Sequence, residues 1–352
     1  MNVLIIGMGV AGNMYQQVLS HLKKYDNYSL NIAYHSKSRN NFSIKYYSTL
    51  RTALKEHKPS LIIVTVNDVY HLEILNELKD FKGTILCEKP LVANQEQLDI
   101  IKNSLSNEIN LILSTVIRFS RASQKLKNFL KNRKTSIKKI NFVWKKNRIN
   151  DYRPTVGVIS EVIHPLDTIQ WLLDKNINIQ NTLTTSSNYS VDRNKKTLDS
   201  VFILGETDDK EVISGYSSFI SLQVERSIEI VLKDLELDTH FFITLTFDKD
   251  EWFSDKLIIF QEDQEGYKEI INFNSMDIKT HYSKKIERTL LMVKNILNSE
   301  MKSTDLCLKE DTFSIQSLLN DISKNEPKSE IDYDFSSKNI LKKNSTTFDR
   351  IG

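Results

Sequence analysis

Cysteine, proline and glycine are all scarce in this chain: its 352 residues include 2 Cys, 5 Pro and 9 Gly. Two cysteines, Cys87 and Cys307, exclude a disulfide framework and show no metal-ligand spacing. One bridge between them stays open, though nothing in the sequence requires it. The paucity of Gly and Pro, with abundant Asn, Lys and Ile, fits an AT-rich coding sequence. It comes with no low-complexity tract and no internal repeat. Long hydrophobic runs are also missing. The opening Met1–Gly7 has no basic segment and its apolar run is broken by a glycine, so no secretory signal is expected. No window approaches the length of a membrane span. An excess of one charge sign is lacking too, since the net charge is +3 and spread along the chain. The basic stretch Gln124–Lys134 reads as a solvated helix face rather than a nucleic-acid stripe. The expectation is a soluble cytoplasmic protein with no nucleic-acid or membrane partner.

What remains is globular. A hydrophobic fraction of 40% and a charged fraction of 26% are ordinary for folded soluble proteins, and the length suits two domains. Val3–Ile6, Leu30–Ala33, Leu61–Val66, Thr84–Cys87 and Leu111–Ile117 read as buried strands. Helical periodicity sits between them at about Leu50–His57, His71–Leu78 and Gln95–Leu105, after a first stripe of Met14, Val18 and Leu22. Strict alternation of strand and helix implies parallel strands with right-handed crossovers, hence a doubly wound sheet over residues 1–119.

The pattern changes near residue 120. A helix over Ala122–Asn132, a strand over Ile137–Trp144 and a helix over Val158–Leu173 are followed by strands without intervening helices. These are Ser200–Gly205, Glu211–Leu222, Ser227–Leu237, Phe241–Phe247, Lys256–Gln261 and Lys268–Phe273, which together predict a large, mostly antiparallel sheet. Helices over Ser283–Leu297 and Lys309–Ser323 close an α+β domain at 120–323, and they are candidates to pack back on the first domain. Residues 324–352 read as a polar tail or arm.

Several motifs carry chemistry. Gly7-Met8-Gly9-Val10-Ala11-Gly12 follows a strand and opens a helix. There Gly7 permits a tight turn, Gly9 lets the backbone approach a pyrophosphate, and Gly12 allows close packing. The helix N-terminus adds N–H donors and a positive dipole end. The second strand runs into Ser36-Lys37-Ser38-Arg39 and lacks the acidic residue that holds an adenosine ribose. Hydroxyl and cationic groups there suit a 2′-phosphate, so NADP(H) is favoured over NAD(H). Thr65, Asn67 and His71, and then Glu88-Lys89-Pro90, fall at the C-terminal ends of successive strands, the edge where ligands lie. A Lys held by a following Pro could polarise a hydroxyl or carbonyl. In the later helix Glu161, His164 and Asp167 share about a third of the circumference, a setting for a proton-shuttling histidine. No second histidine is near enough in sequence to make a metal site of it.

Taken together, these residues resemble the Gfo/Idh/MocA family of oxidoreductases (glucose–fructose oxidoreductase and inositol dehydrogenase). The resemblance rests on the Gly7/Gly9/Gly12 loop, the Thr65…His71 segment, Glu88-Lys89-Pro90, Arg118-Phe119, His164-x-x-Asp167 and the Asp305–Leu319 segment. Asp151-Tyr152-Arg153 is similar to a branch linked to polysaccharide and sugar-nucleotide metabolism. The resemblance implies hydride transfer between nicotinamide C4 and a carbonyl or hydroxyl carbon of a sugar, sugar nucleotide or cyclitol-like substrate. Lys89 would hydrogen-bond the reacting oxygen and His164 would act as general acid/base. Tyr152, Arg153, Glu161, Asp167 and Arg118 would surround the substrate, and the open sheet face would form a homodimer or homotetramer. The chain departs from the family pattern in three ways. Ser160 stands where many members have Asp, Gly157 is all that remains of a glycine cluster, and Val66 replaces a Pro. The Ser160 departure motivates one alternative, a nucleotide-binding regulator without catalysis; a redox-neutral NAD-using glycosidase is another.

Overall fold

The computed structural model describes residues 1–39, 42–192, 194–248, 253–298, 304–324 and 327–331. The chain divides into two compact units, one of Met1–Val116 with Ile286–Asn320, the other of Ile117–Lys285 with the segment from Asp321.

The first unit opens with β1 (Asn2–Ile6), α1 (Val10–Tyr25), β2 (Asn31–His35) and β3 (Lys45–Tyr47). It continues through α2 (Leu50–His57), β4 (Leu61–Val64), α3 (His71–Glu77), β5 (Gly83–Cys87), α4 (Gln95–Ser104) and β6 (Ile109–Leu113). Among the described residues six strands form one sheet in the order β3-β2-β1-β4-β5-β6, all parallel. Val3–Ile6 and Leu61–Val64 are buried throughout, as expected of strands covered on both faces by crossover helices. The order reverses between β1 and β4, which opens a crevice at their C-terminal ends. Helix α1 buries Gly12, Tyr15, Val18, Leu19 and Leu22, one face at a spacing of three and four. Thr49 and Asn94 cap α2 and α4 by accepting from Thr52 and Gln97 backbone N–H groups.

The turn between β1 and α1 depends on two glycines. Gly7 has φ +94°, and a Cβ there would sit 2.8 Å from the Val66 nitrogen. A Cβ on Gly12 would sit 2.1 Å from the Gly7 oxygen. Either substitution forces backbone to move.

The second unit begins with α5 (Arg121–Leu130), β7 (Thr135–Asn147), α6 (Ile159–Leu173), β8 (Ile177–Ser187), β9 (Thr197–Thr207) and β10 (Val212–Ser218). It goes on through β11 (Ile220–Asp234), β12 (Thr239–Phe247), β13 (Asp255–Asp263) and β14 (Gly266–Asn274). The chain then returns to the first unit through α7 (Lys284–Leu297) and α8 (Lys309–Ser323), and ends its described part in β15 (Ser329–Ile331). Cys307 O accepts from Leu113 N at 3.0 Å, Gln316 Oε1 from Val92 N at 3.3 Å, and Gln95 Oε1 from Asn320 Nδ2 at 3.0 Å. These bonds tie the segment around α8 to the first unit.

The second sheet has the order β14-β13-β12-β11-β7-β10-β9-β8-β15 among the described residues. It is mostly antiparallel, as expected. Two pairings are parallel, however: β10 with β7, and β15 with β8. One face is the core. Ile140, Phe142 and Trp144 of β7, Ile228, Ile230 and Leu232 of β11, and Phe241–Phe247 at alternate positions of β12 are buried, with α5 and α6 packed on the sheet.

The structure corrects several boundaries. The run expected to be one strand over Glu211–Leu222 is broken at Phe219, whose side chain is buried. Phe219 N donates to Asp199 O and its carbonyl accepts from Arg148 N, which turns the chain from β10 into β11. The strand expected to reach Ile117 ends at Leu113, and a 3-10 turn occupies Val116–Phe119. Strands β3, β8 and β15 were not expected. Most of the expected tail, residues 332–352, lies outside the described residues. Cys87 and Cys307 are both buried free thiols. No helix among the described residues is long and apolar enough to cross a membrane.

Candidate functional site

In the first unit the expected site residues converge on the C-terminal edge of the parallel sheet. The loop after β1 supplies Gly7, Gly9, Val10, Ala11 and Gly12. Gly9 ends in extended backbone and precedes a helix that no side chain caps and whose first turn holds no acid. The leading amides of α1 have no intrahelical acceptor, so their donors and the positive helix end are available to an anion. A Cβ built on Gly9 meets nothing within 4 Å. This is the open backbone face that a pyrophosphate requires, and the donor set fits a dinucleotide. Thr65 supports the loop from behind, its hydroxyl donating to Gly7 O at 2.7 Å and Ile6 O at 3.1 Å.

Ser36, Lys37 and Arg39 follow β2, with Ser36 half-buried and the two cations exposed. Ser36 Oγ donates to Ser38 O. The Lys37 ammonium lies 4.4 Å from the centre of the Tyr70 ring. Asn67 accepts from Val69 N and caps the short turn that carries Tyr70.

Glu88, half-buried, and His71, buried, each bond to protein partners at this edge. Glu88 Oε1 accepts from Tyr15 Oη and from Ser114 Oγ, each at 2.9 Å. Burial, and then the Glu88 carboxylate, push the Tyr15 phenol well above its ordinary range, so it stays a donor. Burial and Glu88 likewise push the Cys87 thiol up. His71 is buried, with Nδ1 2.8 Å from Pro90 O and Nε2 3.2 Å from Val66 O. Lys89 stands between these contacts, half-buried.

In the second unit Arg118, Glu161, His164 and Asp167, expected around the substrate, group about α6. His164 is the one half-buried position in a helix otherwise buried from Ile159 to Ile169. Its ring lies 5.7 Å from that of Trp144. The two acids expected to flank His164 are engaged by cations. Arg118 grips Asp167 through Nε at 3.0 and 3.2 Å and Nη2 at 2.7 Å, with side chains 4% and 2% exposed. Glu161 meets Lys146 at 3.3 Å and Arg226 at 3.7 Å, and Arg226 also pairs with Asp248. Ser160 turns its hydroxyl back to Gly157 O at 2.8 Å.

The loop after β7 is organised by Asp151. Arg153 reaches its two carboxylate oxygens at 2.9 and 2.5 Å, and Arg148 binds it at 3.2 Å. Burial acts to raise the Asp151 carboxyl, but the hydrogen bonds and charges of Arg153 and Arg148 outweigh it. The group is held well below the usual carboxylate range. Tyr152 Oη donates to Asn150 Oδ1 at 2.9 Å.

Sequence reasoning missed Tyr15, Ser114, Trp144, Lys146, Arg226 and Asp248. Trp144 and Arg226 carry a signal in hindsight, since each points inward on an alternating strand. Tyr15 and Ser114 carry none, because their role exists only once α1 and β6 lie beside the end of β5.

Comparison with known proteins matches residues 1–113 to the Gfo/Idh/MocA oxidoreductase family, NAD-binding Rossmann fold. The matched stretch is that family's NAD-binding Rossmann part, and it agrees with the resemblance carried by the glycine loop and Glu88-Lys89-Pro90. No curated protein matches the sequence. Among solved structures the chain is similar to KijD10, a 3-ketoreductase from Actinomadura kijaniata in complex with NADP and TDP-benzene. The identity is 11%, over 95% of this chain and 99% of that one, with a TM-score of 0.69. It is also similar to the transcriptional regulator Gal80p from Kluyveromyces lactis, at 13% identity over 92% and 91% of the chains and a TM-score of 0.70. A super-repressor mutant of Gal80p from Saccharomyces cerevisiae matches at 13% identity over 92% and 95%, with a TM-score of 0.69. At these identities the likeness is one of fold.

The Arg118–Asp167 pair generates a prediction. Arg118→Met leaves a buried carboxylate without its partner and should cost about 3–5 kcal/mol. Arg118→Met with Asp167→Leu should recover much of that loss. Denaturant melts of the three proteins check it; equal midpoints for Arg118→Met and the unsubstituted chain contradict it.

Proposed function

We propose that the protein is an NADP(H)-preferring oxidoreductase acting on a carbonyl or hydroxyl carbon of a sugar, sugar nucleotide or cyclitol-like substrate. The observation that carries this reading is the open backbone at Gly9, beside the uncapped start of α1, on the same sheet edge as Lys89. Ser36, Lys37 and Arg39, with no carboxylate in this stretch after β2, support the preference for a 2′-phosphate. The KijD10 complex with NADP and TDP-benzene supports a nucleotide-linked substrate.

Nicotinamide dinucleotide, when bound, supplies or accepts the hydride. The chain's own residues do the rest. The first-turn amides of α1 hold the pyrophosphate, and Thr65 fixes the loop that presents them. Lys89 donates a hydrogen bond to the reacting oxygen, stabilising negative charge on it during reduction. His164, the half-open position of α6, exchanges the proton that this oxygen gains or loses. Tyr152 and Arg153 contact the substrate, while Asp167 and Glu161 act through the cations they bind. Reduction is the favoured direction, since NADPH is generally the more reduced pool. Two buried free thiols suit a reducing cytoplasm.

A second reading, a nucleotide-responsive regulator without catalysis, is favoured by Ser160 in place of the family's Asp and by the likeness to Gal80p. Turnover separates the two. With a panel of keto-sugars and NADPH, Lys89→Ala should lower turnover about a hundredfold or more while dinucleotide affinity is preserved. Equal turnover would remove Lys89 from the chemistry.

The open face of the second sheet is the place for a second copy of the chain. Leu183, Phe202 and Leu204 are about half exposed, and Phe202 stacks on Tyr216 at 4.4 Å. Leu183, Phe202, Tyr216 and Val143 stand opposite one another on adjacent strands, an apolar row that a two-fold axis can pair with itself. Leu204→Asp should shift sedimentation from dimer or tetramer to monomer; a monomeric unsubstituted protein would contradict the assembly.

A further inference from the structure

We infer that Glu88 and His71 are positioning residues that clamp the backbone of Lys89 from both sides, rather than ligands of the dinucleotide. The inference rests on the proposed role of Lys89. On one side, Glu88 Oε1 receives hydrogen bonds from Tyr15 and Ser114 at 2.9 Å each. Those two hydroxyls lie 2.8 Å apart, closing a triangle. Tyr15 belongs to α1, the helix that opens at the glycine loop, and Ser114 follows β6. Ser114 N donates to Cys87 O at 2.8 Å, and Glu88 N donates to Val64 O at 2.9 Å.

On the other side, the imidazole of His71 places Nδ1 at 2.8 Å from Pro90 O and Nε2 at 3.2 Å from Val66 O. The ring lies between the turn that carries Lys89 and the turn that follows Thr65, and its N–H in the neutral form donates to one of the two carbonyls. Cys87 Sγ lies 3.8 Å from the same Nδ1. The residue before Lys89 and the residue after it are thus each tied to another element, which fixes where the backbone presents Lys89.

The consequence is catalytic geometry rather than affinity. A displacement of about 1 Å in a reacting group costs on the order of a hundredfold in rate. The Glu88 oxygen that receives Tyr15 and Ser114, and both imidazole nitrogens, face protein partners. Tyr15 also links the two functions of the sheet edge, since the helix that presents donors to the dinucleotide holds, one turn further on, the carboxylate next to Lys89.

The test compares disruptive with conservative substitutions in the full chain: Glu88→Leu with Glu88→Gln, and His71→Phe with His71→Asn. Gln keeps an acceptor for Tyr15 and Ser114, and Asn keeps a donor near the position of Nδ1. NADPH affinity should stay within about twofold in all four. In Glu88→Leu and His71→Phe, kcat should fall about tenfold to a hundredfold with little change in KM, and the conservative partner should restore much of it. A readout independent of turnover is the rate of Lys89 acylation by acetic anhydride, measured by peptide mass spectrometry against Lys37 as internal reference. That ratio should change in the disruptive variants and return in the conservative ones. Should the disruptive variants fail to fold, Tyr15→Phe, which removes a single oxygen, carries both measurements. Weaker NADPH binding at unchanged kcat would make these residues cofactor ligands and overturn the inference, as would an unaltered acylation ratio in Glu88→Leu, His71→Phe and Tyr15→Phe. Absence of any turnover in the unsubstituted protein would instead overturn the oxidoreductase reading, leaving the acylation ratio to decide the clamp.

Discussion

The contact on which the first unit depends is the approach of Gly12 to the Gly7 carbonyl. Helix α1 lies so close to the end of β1 that a Cβ on Gly12 would stand 2.1 Å from that oxygen. The same oxygen receives the Thr65 hydroxyl, so β1, α1 and the end of β4 meet at one carbonyl. This junction leaves the start of α1 bare at the switch point of the sheet. Because the strands are parallel, the segments after β2, β4 and β5 are delivered to the same edge. Tyr15, one turn into the helix, then reaches Glu88. Anion-binding geometry and the placement of Lys89 therefore follow from one packing requirement.

The second unit solves a different problem, which is how to keep charge inside a core. Asp167 and Glu161 lie on a helix whose other positions are almost all buried, and burying an unpaired carboxylate is costly. Arg118 supplies a planar fork to the first. The second is shared between Lys146 and Arg226, with Asp248 as a further partner of the arginine. The Arg226 guanidinium also lies over the Trp144 ring at 5.6 Å, and β12, the strand beyond β11, places Phe247 5.6 Å from that ring. These pairings hold α6 in register with the sheet while His164 keeps partial access to solvent. In the loop after β7, two arginines on one aspartate leave a net positive charge, with the Arg153 side chain 65% exposed.

Much of this was legible in the sequence, and the parts that were not share a cause. Parallel strands buried on both faces announce themselves as unbroken apolar runs, as Val3–Ile6 and Leu61–Val64 do. Helices with a clean stripe, such as Leu50–His57, were read at their observed boundaries. Strand β8 escaped because its buried positions Thr182, Thr184 and Ser186 are polar and bulges shift its register, so no apolar alternation survives. The parallel pairing of β10 with β7 depends on a long connection through α6, β8 and β9, which local pattern cannot reveal. At the site, residue types and spacing located the glycine loop and Lys89, and the family resemblance gave them roles. The spacing of Glu161, His164 and Asp167 suggested acids attending the histidine. The structure instead engages both carboxylates with cations contributed by β7, β11 and the turn before α5, partners distant in sequence.

The most direct test of the account is a fluorescence titration of the purified protein and of Gly9→Val with NADPH and NADH. The Gly9 side is open, so valine should leave the thermal midpoint nearly unchanged while filling the space a pyrophosphate needs. The account predicts micromolar NADPH affinity in the unsubstituted chain, much weaker NADH binding, and loss of both in the variant. Undiminished NADPH binding by a folded Gly9→Val protein, or binding of neither dinucleotide by the unsubstituted one, would contradict it.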